Sequence, residues 1–302
     1  MNPSYPVYPY IGTVEQSVTK HATFPPQHQD REPGIERLME PLPIFDNPGY
    51  TGNGKLKGKA AIITGGDSGI GRAVAVAYAK EGADLTIIYL DEHEDANETK
   101  EYIEALGARC LLLPGDLRFP DTSSKAVKLT IDTYGRLDIV VNNAAVQPYT
   151  SSIMDVSDEQ LDNTFRTNVF PMFYMTKAAL PHLHAGSSII STTSRVAYEG
   201  DEHVLDYSAT KGAIVSFTRS LSLSLVERSI RVNGVAPGPT WTALTVSTYP
   251  AEHQHTFGAE IPMGRAAQPF EVAPAYVYLA SDDSAYVTGQ IFHVNGGKIR
   301  YS

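Results

Sequence analysis

The run Ala60-Ala61-Ile62-Ile63-Thr64-Gly65-Gly66-Asp67-Ser68-Gly69-Ile70-Gly71 constrains the fold more than any other part of the chain. Its first five residues are nearly all apolar, as in a strand buried on both faces, and glycines follow at once. Ala, Val and Tyr then recur at helical spacing over 70–81. A strand that enters a helix through small residues gathers free backbone N–H groups and the positive end of the helix dipole at one spot. That is where an anion such as a pyrophosphate binds. The spacing is Gly-x-x-x-Gly-x-Gly rather than the better-known Gly-x-Gly-x-x-Gly. Alone it also fits a plain tight turn; its place between strand and helix favours a nucleotide site at Gly65, Asp67, Ser68, Gly69, Ile70 and Gly71.

The alternation continues along the chain. Strands are predicted at 85–89, 110–113, 137–141, 188–191, 230–235 and 290–294, and helices at 92–106, 121–134, 158–183, 207–227 and 270–280. Strands and helices in this order need right-handed crossovers, which gives an α/β fold with a parallel sheet covered on both faces. Residues 1–58 have a different texture. Pro3, Pro6, Pro9, Pro25, Pro26, Pro33, Pro41, Pro43 and Pro48 fix φ and remove donors, so an extended, irregular stretch is expected. Phe24, Ile35, Leu38, Met39, Ile44 and Phe45 are more apolar matter than a free tail needs. The expectation is one domain at 59–302 with an arm, 1–58, lying on it or on a neighbouring subunit.

Composition closes several other routes. A formal charge of −10 argues against a nucleic-acid surface or an anionic membrane as partner. There is no apolar run of about 18 residues to span a bilayer. The first ten residues lack a basic head and an apolar core, so no secretory signal is expected and the cytoplasm is the predicted compartment. Cys110 is the single cysteine, which excludes an intrachain disulfide and a Cys-x-x-Cys site. Beside Leu111, Leu112 and Leu113 it reads as an inert buried thiol.

The end of the second strand bears on which dinucleotide is held. An acid there bonds the adenosine ribose hydroxyls, and an Arg there accepts a 2′-phosphate. The chain reads Tyr89-Leu90-Asp91-Glu92-His93, with no Arg or Lys before Asn97. A phosphate would meet acids, which favours NAD over NADP unless Arg72 or a distant basic group intervenes.

Tyr207-Ser208-Ala209-Thr210-Lys211 opens a predicted helix, so Tyr207 and Lys211 share one face. A free phenol has a pKa of about 10; a nearby ammonium lowers it toward the range of acid–base work. The pair alone is a common helical contact. Ser194, 13 residues upstream at the end of a predicted strand, adds a hydroxyl that can converge on Tyr207 at the carboxyl edge of the sheet.

Over about residues 59–297 the chain resembles the short-chain dehydrogenase/reductase family. The matching motifs are Thr64-Gly65 through Gly71, Gly115-Asp116-Leu117, Asn142-Asn143-Ala144-Ala145, Asn168, Ser194, Tyr207 with Lys211, and Pro237-Gly238. The resemblance implies a Rossmann-type doubly wound parallel sheet of about seven strands. It also implies hydride transfer between a nicotinamide cofactor and an aldehyde, ketone or alcohol. Tyr207 would then be the acid/base, and Ser194 would hold the reacting oxygen. Lys211 would lower the Tyr207 pKa and bond the nicotinamide ribose. Asn168 would interrupt a long helix and support a proton relay. Tyr89, Leu90, Asp91, Asp116, Leu117, Asn143, Ala144 and Ala145 would line the adenosine half, and Pro237, Gly238, Thr240 and Thr242 the nicotinamide half. Asn142 would brace the central strands. The family's common assembly implies a homotetramer. The leader is similar to the extended arms of a bacterial subgroup that includes general-stress oxidoreductases and aldehyde reductases, through Gln27-His28-Gln29 to Pro33-Gly34, Met39 to Pro43 and Tyr50 to Gly58.

Substrate loops are expected at 147–149, 196–202 and 241–264. The last reads as a mobile lid with Trp241, Tyr249 and Phe257, and His253-x-His255 in it is not read as a metal site. A glucose-dehydrogenase-like sugar oxidoreductase is the enzymatic rival. A catalytically silent nucleotide-binding regulator is the rival from another class, and the intact Asn168, Ser194, Tyr207 and Lys211 speak against it.

Overall fold

The predicted strands are too apolar to face water on either side, and in the computed structural model, which describes residues 23–299, they pair into one all-parallel sheet. In chain order the elements are β1 (Ala60–Thr64), α1 (Gly69–Lys80), β2 (Asp84–Tyr89), α2 (His93–Ala105), β3 (Cys110–Pro114), α3 (Pro120–Tyr134), β4 (Ile139–Asn142), α4 (Asp158–Asn168), α5 (Phe170–Ala179), β5 (Ser188–Thr192), α6 (Val196–Glu199), α7 (Leu205–Leu225), β6 (Arg231–Pro237), α8 (Ala243–Thr248), α9 (Pro269–Ala280) and β7 (Ile291–Val294). The strand order is β3-β2-β1-β4-β5-β6-β7. The chain winds outward from β1 through β2 and β3, then crosses back to lay β4 on the other side of β1. Loops leaving β1 and β4 therefore diverge, which opens a crevice at the carboxyl ends of the strands.

Strand alternation sorts the core into two layers. Ala61, Ile63, Leu85 and Ile87 face one way and pack with α1, α2 and α9. Ile62, Ile88, Val140 and Ile189 face the other way and pack with α3, α5 and α7. In register, Ile62 lies opposite Val140 and Ile63 opposite Val141, so each layer is continuous across β1 and β4.

Two boundaries differ from the sequence reading. The helix that periodicity alone predicts over 158–183 is two helices, broken at Val169 (φ −114°, ψ −51°), next to the Asn168 at which the resemblance implied an interruption, and restarted with Pro171 in its first turn. Segment 241–264 is not a loose lid: it holds α8 and a 3-10 turn, Ala251–Thr256. Trp241, Val246, Tyr249 and Phe257 form a small core of their own with Met39 and Phe24 of the leader.

The leader lies on the domain from residue 23 onward; its first 22 residues, like 300–302, fall outside the described residues. Apart from a 3-10 turn at Glu36–Leu38 it is irregular, as its prolines demand. Phe24 stacks on Trp241 with ring centroids 3.8 Å apart, and the Trp241 indole N–H donates to Pro41 O at 2.8 Å. Gln29 N–H donates to Val246 O at 2.9 Å. Further along, Glu81 accepts from Asn53 and Lys55 backbone N–H groups at 3.0 and 2.8 Å. The arm thus runs from segment 241–257, past the start of α1, to β1.

Candidate active site

The glycine turn is held by backbone crowding on one side and by hydrogen bonds on the other. Gly65 sits at φ 62°, where a side chain is strained, and a Cβ on Gly71 would lie 1.8 Å from Gly65 O. Thr64 Oγ1 accepts from the N–H groups of Asn143 and Ala144 at 2.8 and 3.1 Å, while Asn143 Nδ2 donates to Thr64 O and Gly65 O at 3.2 and 3.1 Å. Asn143 is therefore the brace between β1 and β4. The role expected for Asn142 is not seen: its buried amide has no hydrogen bond among the described residues. Gly71→Ala should cost about 1–3 kcal/mol through overpacking and weaken dinucleotide binding roughly tenfold or more. Fluorescence titration with NADH and NADPH measures this, and unchanged affinity would show that the crossing can relax.

A cavity of about 340 Å³ follows the crevice. Tyr89, Leu90, Glu92, Asp116 and Leu117 line one end; Gly65, Asp67, Ser68, Gly69, Ile70, Asn143, Ala144 and Ala145 line the middle; Ser194, Tyr207, Lys211, Pro237, Gly238, Thr240 and Thr242 line the other end. Three residues assigned from sequence are not on its wall. Gly71 works from behind the turn. The Asp91 carboxylate turns to Arg31, 2.7 Å away, and the next residue, Glu92, lines the cavity in its place. Asn168 spends its amide elsewhere. Its Nδ2 donates to Val146 O and Thr210 Oγ1 at 2.9 and 3.1 Å, and its Oδ1 accepts from Val146 N–H at 2.8 Å. It ties the loop after β4 to α7.

Lys211 is 2% exposed, and the one hydrogen bond of its ammonium among the described residues goes to Thr192 O at 2.9 Å. Its Nζ lies 5.2 Å from the centre of the Tyr207 ring. Burial pushes the ammonium down to about 7. Burial also pushes the Tyr207 phenol up to about 12, against smaller opposing effects of its hydrogen bond with the Ser194 hydroxyl and of the Arg195 charge. The resemblance implied that Lys211 lowers the Tyr207 pKa; here burial raises it, and Lys211 is not among the groups that act against that rise. Both groups are buried in the same wall, and burial disfavours the charged form of each.

The donor set suits a dinucleotide. Small residues expose backbone at the start of α1, and a buried ammonium with unused N–H groups faces the far end. When bound, a nicotinamide dinucleotide supplies or accepts the hydride; the residues around it hold it in place and handle the proton.

Sequence reasoning missed the arm's share of this wall. Glu32, Pro33 and Gly34 line the cavity, and Glu32 Oε1 accepts from Gln147 N–H at 2.6 Å. Glu36, 1% exposed, accepts the Gly69 N–H at 2.5 Å and pairs with Arg72 at 3.0 Å. Burial raises its carboxyl to about 7, with Arg72 and the Gly69 N–H opposing. Only the likeness of the leader to other extended arms hinted at these contacts.

The chain matches the family model described as Enoyl-(Acyl carrier protein) reductase over residues 65–298. Uncharacterized oxidoreductase YhdF of Bacillus subtilis (strain 168) is 61% identical, over 90% of this chain and 94% of its own. Glucose and ribitol dehydrogenase of Daucus carota is 49% identical, over 91% and 97%. NADPH-dependent aldehyde reductase 1, chloroplastic, of Arabidopsis thaliana is 47% identical, over 90% and 97%. The crystal structure of a short chain dehydrogenase from Burkholderia cenocepacia J2315 in complex with NADP aligns with a TM-score of 0.76 at 32% identity, covering 80% of this chain and 98% of that one. With relatives spanning nine-tenths of its length and the same winding of the sheet, the protein belongs to the short-chain dehydrogenase/reductase family and is an NAD(P)-dependent oxidoreductase acting on CH–OH and C=O groups.

Proposed function

We propose that Tyr207 gives its phenolic proton to a small aldehyde or ketone oxygen in reduction and takes it back in oxidation. The observation that carries this is the Tyr207 hydroxyl, hydrogen-bonded to Ser194 and pushed up to about 12, on the wall shared with the glycine turn. Ser194 donates a hydrogen bond to the same substrate oxygen and so places it against the phenol. Lys211 supplies positive charge beside the oxygen as charge develops. Asn168 acts as a positioning residue through Val146 and Thr210. The leader belongs to this site as a wall rather than forming a domain of its own.

Val196, Ala243, Leu244, Tyr249 and Phe257 make the substrate end largely apolar, which supports a small carbonyl compound. The sugar reading draws on the printed name of the carrot relative. However, the amide of Gln147, the obvious group for binding hydroxyls, is engaged with the Tyr249 hydroxyl at 3.2 Å. The expected preference for NAD assumed that no cation reaches the end of β2, and Arg31 removes that premise. A homotetramer remains the proposed assembly, supported by Phe173 and Leu223, 44% and 77% exposed on α5 and α7.

The test is a panel of aldehydes, ketones and sugars with both dinucleotides; turnover confined to sugars would replace the carbonyl reading. A pH profile adds a second check. The cationic form of Lys211 is lost as pH rises through about 7, whereas Tyr207 stays protonated until about 12. Carbonyl reduction should therefore be fastest below about 7 and decline above it. Reduction that climbs between pH 6 and 8 would contradict the assignment.

A further inference from the structure

The end of β2 meets the adenosine ribose in this fold, and its own residues, Tyr89-Leu90-Asp91-Glu92, bring acids and no cation. The arm delivers one. Arg31 Nη2 lies 2.7 Å from Asp91 Oδ1 and 2.6 Å from Glu92 Oε1, and its Nε donates to Pro33 O at 2.9 Å. The next three residues, Glu32, Pro33 and Gly34, share the cavity wall with Tyr89, Leu90 and Glu92; Arg31 itself stands just behind that wall, against Glu92. Its Nη1 makes no hydrogen bond among the described residues, which leaves donors of the planar fork unused.

The other nearby cations are committed. Arg72, 3% exposed, is spent on Glu36, Glu98 and the carbonyls of Asp67 and Asp95. Arg118 grips Asp116 through Nε and Nη2 and Asn163 through Nη1. The acids beside Arg31 are also less anionic than two carboxylates suggest. Burial and a hydrogen bond to Asp91 push Glu92 up to about 8, while Asp91 is held low. An anion approaching this rim meets a guanidinium already held in place by Pro33 O and the two carboxyls.

We propose that Arg31, carried by the N-terminal arm, reads the adenosine 2′ position and binds a 2′-phosphate, so that NADP(H) is accepted through a residue outside the nucleotide-binding fold itself. A phosphate takes the exchangeable place of the Asp91 carboxylate on the fork, while Pro33 O keeps the side chain aligned. The proposal rests on the dinucleotide-site reading above, and its test separates the two.

Calorimetric titration of the full-length chain with adenosine 2′,5′-bisphosphate and with 5′-AMP needs no turnover. The wild-type chain should prefer the bisphosphate. Arg31→Ala should reduce that preference on the order of ten- to hundredfold, and Arg31→Lys, which keeps charge but lacks the fork, should fall between. Asp91→Asn, which removes the competing carboxylate and leaves Arg31 its Glu92 partner, should increase the preference. The ratio of kcat/KM for NADPH over NADH should follow the same order. A ratio of the two affinities that stays constant across these variants would overturn the proposal while leaving the dinucleotide site standing. Failure of the wild-type chain to bind either probe would overturn both readings.

Discussion

Tyr207→Phe is expected to lower kcat by roughly 10²–10⁴-fold in both directions, the range attributed to a positioned general acid. The substitution removes one oxygen and keeps the ring, which is 6% exposed and packs with Val196, Val204 and Trp241. Stability should therefore change little. NADH and NADPH affinity should stay within about threefold, because Lys211, Thr192 and the glycine turn are untouched. Stopped-flow reduction of an accepted aldehyde, run beside fluorescence titration of the dinucleotides, separates the two effects. Undiminished turnover would show that a different group handles the proton. Ser194→Ala should lose less, since it orients the oxygen and leaves the proton donor in place.

Trp241→Ala should cost about 3–5 kcal/mol, the range for emptying the site of a large buried aromatic. Trp241 is fully buried, stacked on Phe24 at an interplanar angle of 4°, and bonded through its indole N–H to Pro41. Removing it opens a cavity between arm and segment 241–257 and releases both. A fall in Tm on the order of 10 °C is expected. KM for the carbonyl substrate should rise too, because Ala243, Thr245, Tyr249 and Phe257 of the freed segment line the cavity. Trp241→Phe keeps a stacking ring and loses only the indole N–H, so it should cost about 1 kcal/mol. Equal melting of Trp241→Ala and wild type would show that the arm does not clamp this segment.

Much of the fold is written in short windows. Ala60–Thr64 reads as a buried strand because every residue in it is apolar or small, and α1 follows because Ala and Val repeat at helical spacing. The break at Asn168–Val169 was implied by the family likeness; in the window itself only Pro171, which fits a first helical turn and not a helix interior, marks it. Segment 241–264 misled for a related reason: its apolar residues lack a helical period because they pack against Phe24 and Met39, more than 200 residues away.

The sequence alone determined that a parallel sheet would form and that glycine turn, Ser194, Tyr207 and Lys211 would meet at its carboxyl edge. Each rests on local pattern plus handed connections that admit few arrangements. Tertiary structure alone decided how completely the Tyr207 phenol is enclosed, and that burial pushes its pKa up. It alone moved Asp91 off the cavity wall and brought Arg31 to Asp91, Glu32 to Gln147 and Glu36 to the Gly69 turn, across separations of 60, 115 and 33 residues. An irregular arm has no period to follow, so its destination is set only by the surfaces that the folded domain presents to it.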